Sequence, residues 1–362
     1  MRAVVYRGAR DLRVEKVPVP RIEEGEILVR VAACGVCPTD IKKIYHATVP
    51  PPRIFGHETA GVVARVGKGV QGLEEGDRVA LHHHVPCLTC HACRHRAFAH
   101  CPQYLRTGIT AGFEPAGGGY AEYVRVMPFC LPGVVKIPAR NSFLEGAMVE
   151  PVNTVLKGIR RLGLLRGDTV LVAGQGPIGL MFTRLLTLRG IRVIASDLQP
   201  GRLALARELG AVDTVRIPPA DPNGLPSREA EAGLARVARE HTEGRGLDAV
   251  VVAVPVDSLV IGAPPLLRGG GRVLLFAHTR RGARAPIDLG GICVDEKDIL
   301  GSYSSDFLLQ AEAARVVFSR RLDMRRLITR EFPLEETAAA VALAASPTPD
   351  SLKVVVTQEL EG

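Results

Sequence analysis

The chain has 362 residues, a length that predicts two domains, and its content of 46% hydrophobic and 23% charged residues is typical of a globular protein. The first twenty residues contain no apolar segment of the kind found in signal peptides, and no stretch reaches the roughly 18 apolar residues of a membrane helix. We therefore expect a cytoplasmic protein without membrane contacts. The net charge of +8 does not indicate a nucleic-acid partner, because acidic residues are interspersed with the basic ones and only 4% of residues are aromatic.

Short β-branched runs dominate the first 150 residues. Examples are "AVVYRG", "EILVRVAACG" and "TAGVVARVG", which Gly, Pro and Asp residues separate from one another. Such runs between turn-forming residues predict short strands, and hence a β-rich, loop-rich region. The triplet His82-His83-His84 is predicted to belong to the strand that leads into the cysteine-rich segment described next.

Four of the eight cysteines lie close together, at Cys87, Cys90, Cys93 and Cys101. A disulfide knot is improbable in a reducing compartment. An iron–sulfur cluster is the second alternative, since Pro102 follows the last cysteine, but the bacterial cluster motif ends in C-x3-C-P rather than C-x7-C-P. Four thiolates at this spacing can enclose one tetrahedral zinc ion without an open coordination position. The segment therefore predicts a structural zinc site.

Other metal-binding residue types occur outside this segment. Cys37 and His57 are both zinc-ligand types, and Asp40 could orient His57 through its second ring nitrogen. Glu150, next to Pro151, adds a carboxylate at the junction with the second half of the chain. Each residue also has an ordinary interpretation: Cys37 as a buried apolar side chain, His57 as a turn residue and Glu150 as a helix-terminal charge.

From about Asp168 the pattern changes to strands that alternate with helices. "TVLVAG", "RVIASD", "LDAVVVAV" and "GGGRVLLFAH" are typical of buried strands, whereas "PIGLMFTRLLTLRG" and "GRLALARELG" have helical spacing. This alternation predicts βαβ units and a parallel sheet. After about residue 295 the pattern is mixed again, and it ends in the strand-like "LKVVVT".

A glycine motif lies between the first predicted strand and helix of this region. Gly174, Gly176 and Gly179 form G-x-G-x-x-G, and Asp197 ends the following strand. In dinucleotide-binding proteins the glycines allow a tight turn, backbone approach to the pyrophosphate and close helix–strand packing. An aspartate at the end of the second strand binds the ribose hydroxyls and repels a 2′-phosphate, which favours NAD over NADP. The alternative is a glycine-rich turn that binds nothing.

Taken together, these motifs resemble those of the zinc-dependent medium-chain dehydrogenases of the alcohol dehydrogenase superfamily. The resemblance covers nearly the whole chain and is carried by Cys37-Pro38-Thr39-Asp40, "GHE" at 56–58, the four-cysteine segment, "GGGYAEY" at 117–123 and "GQGPIG" at 174–179. It implies an α/β fold with a GroES-like, β-rich catalytic domain and a Rossmann domain with a doubly wound parallel sheet. The expected boundaries are 1–152 for the catalytic domain with a zinc lobe at 87–101, 153–295 for the Rossmann domain, and 296–362 for the return to the catalytic domain.

The resemblance also implies two zinc ions per chain. It assigns Cys37, His57 and Glu150 as ligands of a catalytic zinc, with Glu58 beside that metal and the four clustered cysteines on a structural zinc. Glu150 followed by Pro151, where other members have a cysteine, resembles the sorbitol (polyol) and threonine dehydrogenase branch.

Further roles follow from the same resemblance. Thr39 is expected to take the proton of the substrate hydroxyl, and Lys42 stands where many members have the histidine that ends the proton relay. Lys353 matches a basic residue near the pyrophosphate. The predicted cofactor-binding residues are Gly174, Gly176, Pro177, Ile178, Gly179, Asp197, Arg202 and Lys353.

The predicted activity is zinc-dependent hydride transfer from a secondary alcohol or polyol to NAD, in a homodimer or homotetramer. Within the family, the alternatives are an amino alcohol such as threonine, or a phosphorylated polyol that Lys42 and Lys43 would attract. From another class, the alternative is a nucleic-acid-binding zinc protein with a degenerate nucleotide fold. Phe113 and Tyr120 are expected on the substrate side of the site.

Overall fold

The computed structural model describes residues 1–82, 85–103, 117–218, 228–277 and 282–359, so Phe113 lies outside the described residues. The chain divides into two compact units. The first contains Met1–Asn153 and Ser305–Gly362, and the second contains Thr154–Ser304. Among the described residues, every helix is too short or too polar to cross a bilayer.

The described secondary structure comprises sixteen strands and eleven α-helices. The strands are β1 Arg2–Gly8, β2 Asp11–Lys16, β3 Ile27–Gly35, β4 Arg53–Ile54, β5 Glu58–Val66, β6 Arg78–Ala80, β7 Tyr123–Val126, β8 Val135–Lys136, β9 Thr169–Ala173, β10 Arg192–Asp197, β11 Asp213–Arg216, β12 Leu247–Val252, β13 Leu267–Leu275, β14 Asp298–Gly301, β15 Ile328–Pro333 and β16 Lys353–Thr357. The helices are α1 Pro38–His46, α2 His91–Arg94, α3 Phe143–Ala147, α4 Val149–Leu162, α5 Pro177–Thr187, α6 Pro200–Glu208, α7 Arg228–Thr242, α8 Asp257–Gly262, α9 Leu289–Val294, α10 Gln310–Phe318 and α11 Thr337–Ala345. Helix α4 begins in the first unit and continues into the second.

The first unit is built mainly on antiparallel β-structure. Its larger sheet has the order β15-β16-β3-β5-β6-β8, with β7 also paired to β3, and a smaller sheet has the order β2-β1-β4. The chain returns to this unit through β15 and β16, and β16 pairs with β3. Apolar side chains from both ends of the chain, such as Tyr6, Ile44 and Val356, share one buried cluster. The C-terminal segment is therefore part of the first unit's core.

The second unit contains a six-stranded parallel sheet. Its strand order is β11-β10-β9-β12-β13-β14, which in sequence terms is 3-2-1-4-5-6, the order of the Rossmann fold. In such a sheet the point where the order reverses, here between β9 and β12, lies where ligands bind at the carboxyl ends of the strands.

The parallel sheet extends beyond residue 295, where we expected the Rossmann domain to end. Strand β14 follows that position and pairs in parallel with β13, for example through Val273 and Ile299. The second unit consequently ends at Ser304. The sequence "DILGSY" is short and flanked by polar residues, so its membership of the sheet depends on the exposed edge that β13 offers to it.

Candidate metal centres and dinucleotide site

The first candidate site begins where β3 ends and α1 starts. Cys37 has the extended backbone of an N-cap residue, and Pro38 follows at the first helical position, where its missing N–H costs nothing. Strand β5 pairs antiparallel with β3 so that Glu58 lies opposite Gly35. This register brings His57 and Glu58 beside Cys37, although about twenty residues separate them in the sequence.

Cys37, His57 and Glu58 form what we call the buried ligand group. One ligand atom of each residue lies within 4.8 Å of those of the other two. His57 is 6% exposed, and its Nδ1 atom lies 3.2 Å from Oδ2 of Asp40, which is completely buried. Because Asp40 occupies Nδ1, the Nε2 atom of His57 is the nitrogen that can bind a metal. A thiolate, an imidazole and a carboxylate are ligands that zinc accepts.

His57 and Asp40 stabilise each other's charged forms. Burial by itself lowers the pKa of His57, but the negative charges of Asp40 and Cys37 raise the pKa well above its ordinary value. Burial raises the pKa of Asp40, but the charge and hydrogen bond of His57, together with the charges of Lys43 and Lys353, outweigh burial and lower the pKa. The surroundings thus favour positive charge on the imidazole, which a metal ion on Nε2 can supply in place of a proton.

Glu58 also has a cationic partner, because the ammonium group of Lys353 contacts its carboxylate. The same ammonium group donates a hydrogen bond of 2.9 Å to the carbonyl oxygen of Val36. Gly35 makes this contact possible, since a Cβ atom there would lie 1.9 Å from a Glu58 oxygen and 3.0 Å from Lys353. Lys353, predicted as a cofactor-binding residue, therefore contacts the buried ligand group in this structure.

Glu150 lies in the first turn of α4 and is 5% exposed. It is not in the group whose ligand atoms lie within 4.8 Å, as far as the described residues show. Burial raises the pKa of Glu150 to about 7, against the opposing effects of the His57 and Lys353 charges. A buried carboxylate with this pKa requires a nearby cation or a proton to stabilise it.

Helix α1 also contains Thr39 and Lys42. Thr39 is half-buried, two residues beyond Cys37. Partial burial lowers the pKa of Lys42. Tyr120 is completely buried, and its hydroxyl donates to the carbonyl oxygen of Gly35 at 3.4 Å.

The four-cysteine lobe, residues 87–101, forms a second and separate group of ligands. The four sulfurs lie within 4.8 Å of one another, with 3.9 Å between Cys87 and Cys93 and 3.5 Å between Cys90 and Cys93. These distances exceed the roughly 2.0 Å of a disulfide. They match the roughly 3.8 Å between sulfurs in a tetrahedron with zinc–sulfur bonds of about 2.3 Å. The four thiols therefore fit a closed zinc site.

Local hydrogen bonds prepare Cys87 for this role. The Thr89 hydroxyl and the backbone N–H groups of Thr89 and Cys90 lower the pKa of the Cys87 thiol to about 5. Cys93 and Cys101 are buried, and they pack against Phe98 and Ala99. The lobe thus has a small core of its own, and the metal ligands are part of it.

The dinucleotide motif forms the turn between β9 and α5. Gly174 has a φ of +93°, and a Cβ atom there would lie 2.4 Å from Val254. A Cβ atom on Gly179 would lie 1.8 Å from the carbonyl oxygen of Gly174, so the helix can approach the turn only with glycine here. By contrast, the space in front of Gly176, the N-cap of α5, is open. This arrangement leaves room for a pyrophosphate at the helix N-terminus.

Asp197 lies at the end of β10, next to this turn. Its Oδ2 accepts a hydrogen bond of 2.6 Å from the backbone N–H of Gln175, and Oδ1 accepts one of 2.8 Å from that of Gln199. The carboxylate is therefore fixed between the glycine turn and the start of α6. Arg202 is half-buried in the first turn of α6.

Both units contain residues that match known protein families. Residues 23–139 match the alcohol dehydrogenase GroES-like domain, and residues 177–318 match the zinc-binding dehydrogenase domain. The chain is 30% identical over 366 residues to a sorbitol dehydrogenase of Bacillus subtilis, with 98% of this chain and 97% of the relative covered. This chain belongs to the zinc-binding alcohol dehydrogenase family.

Two further relatives bear on the activity of this dehydrogenase. A D-xylulose reductase A of Aspergillus oryzae is 29% identical, with 93% of this chain and 91% of the relative covered. A zinc-binding dehydrogenase of Sinorhizobium meliloti, solved with NADP, has a TM-score of 0.85 at 28% identity, with 99% of each chain covered. The predicted family and fold class are confirmed, and the protein is a zinc- and NAD(P)-dependent oxidoreductase that acts on alcohols.

One set of buried polar residues in this dehydrogenase was not predicted from the sequence. Asn153 and Gln310 are 0% and 3% exposed and hydrogen-bonded to each other, and Gln310 also forms a hydrogen bond with His82. One signal was available, because Asn153 follows Glu150 by three residues and so shares its side of a helix. The partners of Asn153, at the other end of the chain, had no such signal.

Proposed function

We propose that this dehydrogenase oxidises a secondary hydroxyl group of a polyol, with zinc as the Lewis acid and NAD as the hydride acceptor. The observation that carries the proposal is the buried ligand group with Asp40 behind His57. A sorbitol dehydrogenase and a D-xylulose reductase among the relatives support a polyol substrate. The Glu150–Pro151 pair supports the same choice, because it resembles the polyol branch of the family.

In this proposal Cys37, His57 and Glu150 hold the catalytic zinc. Glu58 already has Lys353 as an ionic partner, which reduces its tendency to bind a metal. Glu150 is a buried carboxylate that a divalent cation would stabilise in the ionised form. When bound, zinc would polarise the substrate oxygen and lower the pKa of the hydroxyl group.

Thr39 takes the hydroxyl proton at its Oγ1 atom. Its position in the first turn of α1, two residues after Cys37, supports this role. The oxygen can accept one proton while donating its own, which a relay requires. Lys42 lies one turn further along α1, where its charge favours ionisation of the substrate hydroxyl and attracts an anionic substrate if one is used.

The glycine turn at 174–179 and Asp197 bind the dinucleotide. The open space at Gly176 and the N-terminus of α5 support pyrophosphate binding. Asp197 would accept hydrogen bonds from the adenosine ribose and repel a 2′-phosphate. The bound nicotinamide supplies the hydride acceptor, while the chain supplies its orientation.

The test is a substrate panel. Purified protein is mixed with NAD and with sorbitol, xylitol, threonine or a phosphorylated polyol, and the absorbance of the reduced nicotinamide is followed. We expect the largest kcat/KM with an uncharged polyol and a rate at background level in the Cys37→Ala variant. If only threonine or only a phosphorylated polyol is oxidised, that compound class and not an uncharged polyol is the substrate. If no alcohol is oxidised by protein with both zinc sites filled, the proposed activity is wrong.

The two metal sites should also differ in how fast they lose zinc. The four-cysteine lobe has four thiolates and no open position, whereas the catalytic site needs one for substrate. Metal analysis should give two zinc ions per chain, and limited chelator should abolish activity before the protein unfolds. A fully active protein with one zinc would contradict this.

We also propose a cytoplasmic homodimer or homotetramer. The sulfurs of the four-cysteine lobe are arranged as metal ligands, and such thiolates persist in a reducing compartment, which supports the cytoplasm. Leu289 and Val294 on α9 are 76% and 81% exposed, which supports association through the second unit. Light scattering of the eluted protein would determine the number of chains, and a monomer would contradict this proposal.

A further inference from the structure

Three buried polar side chains form a continuous set of hydrogen bonds beside the first two turns of α4. Asn153 Oδ1 accepts from the backbone N–H of Asp306 at 2.9 Å, and Asn153 Nδ2 donates to Gln310 Oε1 at 3.0 Å. Gln310 Nε2 donates to the carbonyl oxygen of Gly133 at 2.9 Å. Gln310 Oε1 also lies 3.1 Å from His82 Nδ1. We call this set the carboxamide chain.

The backbone groups at its ends determine the direction of every bond. The N–H of Asp306 can only donate, so the Asn153 atom facing it is the oxygen and the other is the amide nitrogen. Gln310 must then present its oxygen to Asn153 and its nitrogen to the carbonyl of Gly133. The same oxygen faces His82, whose Nδ1 therefore carries a proton. The set has one consistent arrangement, so it holds its members in defined orientations.

The carboxamide chain joins segments that are far apart in sequence. Asn153 is the last residue of the first unit before the chain enters the second unit, and Asp306 is the second residue after it returns. Asn153 is completely buried and His82 is 1% exposed. Such buried amides are expensive to leave without partners, so the outgoing and returning segments are tied to each other.

The position of Asn153 relative to Glu150 suggests what this tie does. The two residues are three positions apart on α4, and residues at this spacing lie on neighbouring parts of one helix face. The N–H groups of a helix's first turn have no partners within the helix, so bonds to groups outside it help to hold that turn. The Val152 N–H, for instance, reaches back to Met148 at 3.2 Å, outside α4. The side-chain bonds of Asn153 add to this backbone bond in fixing the orientation of the turn.

We propose that Asn153 is a positioning residue for Glu150. Through Asp306 and Gln310 it fixes the rotation of the first turn of α4, and thereby the direction in which the Glu150 carboxylate points. This inference rests on the proposed function, in which Glu150 binds the catalytic zinc. Groups that orient a metal ligand typically change metal affinity by about 10- to 100-fold when they are removed.

The test compares two buried asparagines of the first unit. Asn153→Leu removes the anchor, while Asn141→Leu makes the same chemical change at a residue that is 2% exposed and bonds to Glu145 instead. Release of the catalytic zinc to a chromogenic chelator, the release from the four-cysteine lobe and the midpoint of thermal unfolding are measured for each variant. Because both variants lose a buried amide, both should unfold at lower temperature.

We expect Asn153→Leu to release the catalytic zinc about tenfold faster than the wild type or more, with release from the lobe unchanged. Asn141→Leu should release the catalytic zinc at the wild-type rate. Gln310→Met leaves the bond from Asp306 to Asn153 in place and should therefore increase the rate of catalytic zinc release by a smaller factor. If Asn153→Leu does not fold, Gln310→Met takes its place in the comparison.

One outcome would overturn the inference about Asn153, and a different outcome would revise the proposed function. If the variants of the carboxamide chain and Asn141→Leu release zinc equally, Asn153 has only a structural role and the inference is overturned. If the wild type binds a single zinc, or if Glu150→Ala leaves zinc release unchanged, Glu150 is not a ligand and the proposed function needs revision first.

Discussion

The four-cysteine lobe and the buried ligand group are built in opposite ways. All four sulfurs of the lobe come from one segment of fifteen residues, two of them half-exposed, around a small core of Phe98 and Ala99. The buried ligand group comes from the end of β3 and the start of β5, and it needs Asp40 and Lys353 as neighbours. A closed metal site can be local, whereas a reactive site requires long-range contacts that control charge and orientation.

The largest effects should follow from exchanging a ligand in each site. Cys37→Ala should lower kcat/KM by about a thousandfold or more, because the substrate hydroxyl loses Lewis-acid activation, while the thermal midpoint changes little. Cys93→Ala should instead lower the thermal midpoint, because it leaves a closed site with three thiolates. Kinetics and calorimetry on both variants check this. A lower thermal midpoint for Cys37→Ala and a lower kcat/KM for Cys93→Ala would show that the catalytic and structural roles of the two sites are the reverse of those proposed.

A second comparison lies within α1. Thr39→Ala should reduce kcat by about a hundredfold or more, since it removes the group that takes the proton. Lys42→Ala should reduce kcat by about tenfold or less, because water can carry the proton from Thr39 onward. Steady-state kinetics with and without added small amines decide between these roles. An equally large loss in Lys42→Ala that amines restore would show that the lysine itself carries the proton.

The dinucleotide turn combines a local motif with one distant residue, Asp197. The wild type should prefer NAD to NADP by about a hundredfold or more in kcat/KM, because a carboxylate held by two backbone N–H groups cannot move away from a 2′-phosphate. Asp197→Ser should reduce this preference. Kinetics with both dinucleotides provide the measurement, and equal use of NADP by the wild type would refute the assignment.

The smallest effect concerns the contacts that hold the first unit together. Glu145 is 1% exposed and, despite burial, hydrogen bonds from Arg320, Ser142 and Asn141 lower its pKa to about 2. Because the folded state favours the ionised form, Glu145 stabilises the protein fully above its ordinary pKa of 4.5, and this stabilisation is lost as the pH falls toward 2. Glu145→Gln should lower the free energy of unfolding by about 2 kcal/mol at neutral pH. This is less than the lowered pKa alone implies, because solvent screens the charge of the half-exposed Arg320.

Thermal unfolding of wild type and Glu145→Gln at several pH values checks this. Glu145 belongs to neither group of metal ligands, so acid should remove zinc equally from both proteins and the difference between their midpoints isolates the carboxylate. That difference should shrink as the pH falls from 5 to about 3. A difference that stays constant with pH would mean that Glu145 contributes through packing rather than charge.

Much of the site could be predicted because several ligands have short-range signatures. The spacing of Cys87, Cys90 and Cys93 places three thiols within seven consecutive residues, and no distant contact is needed to interpret it. The Gly174–Gly179 turn is similar, because its geometry depends on a strand and a helix that are adjacent in sequence. For Cys37 and His57 the residue types and the family resemblance predicted a common site, but not the distances within it.

What the sequence by itself determined about this protein is therefore its local chemistry: four thiolates in one loop, a glycine turn before a helix, and a family of motifs that specify a zinc-dependent dehydrogenase. The tertiary structure alone decided that Lys353 pairs with Glu58, that β14 extends the parallel sheet past residue 295, and that Asn153 is tied to Gln310. These contacts join residues up to roughly 300 positions apart. They follow from strand register and the packing of buried groups, which depend on the whole chain and leave no pattern in any single segment.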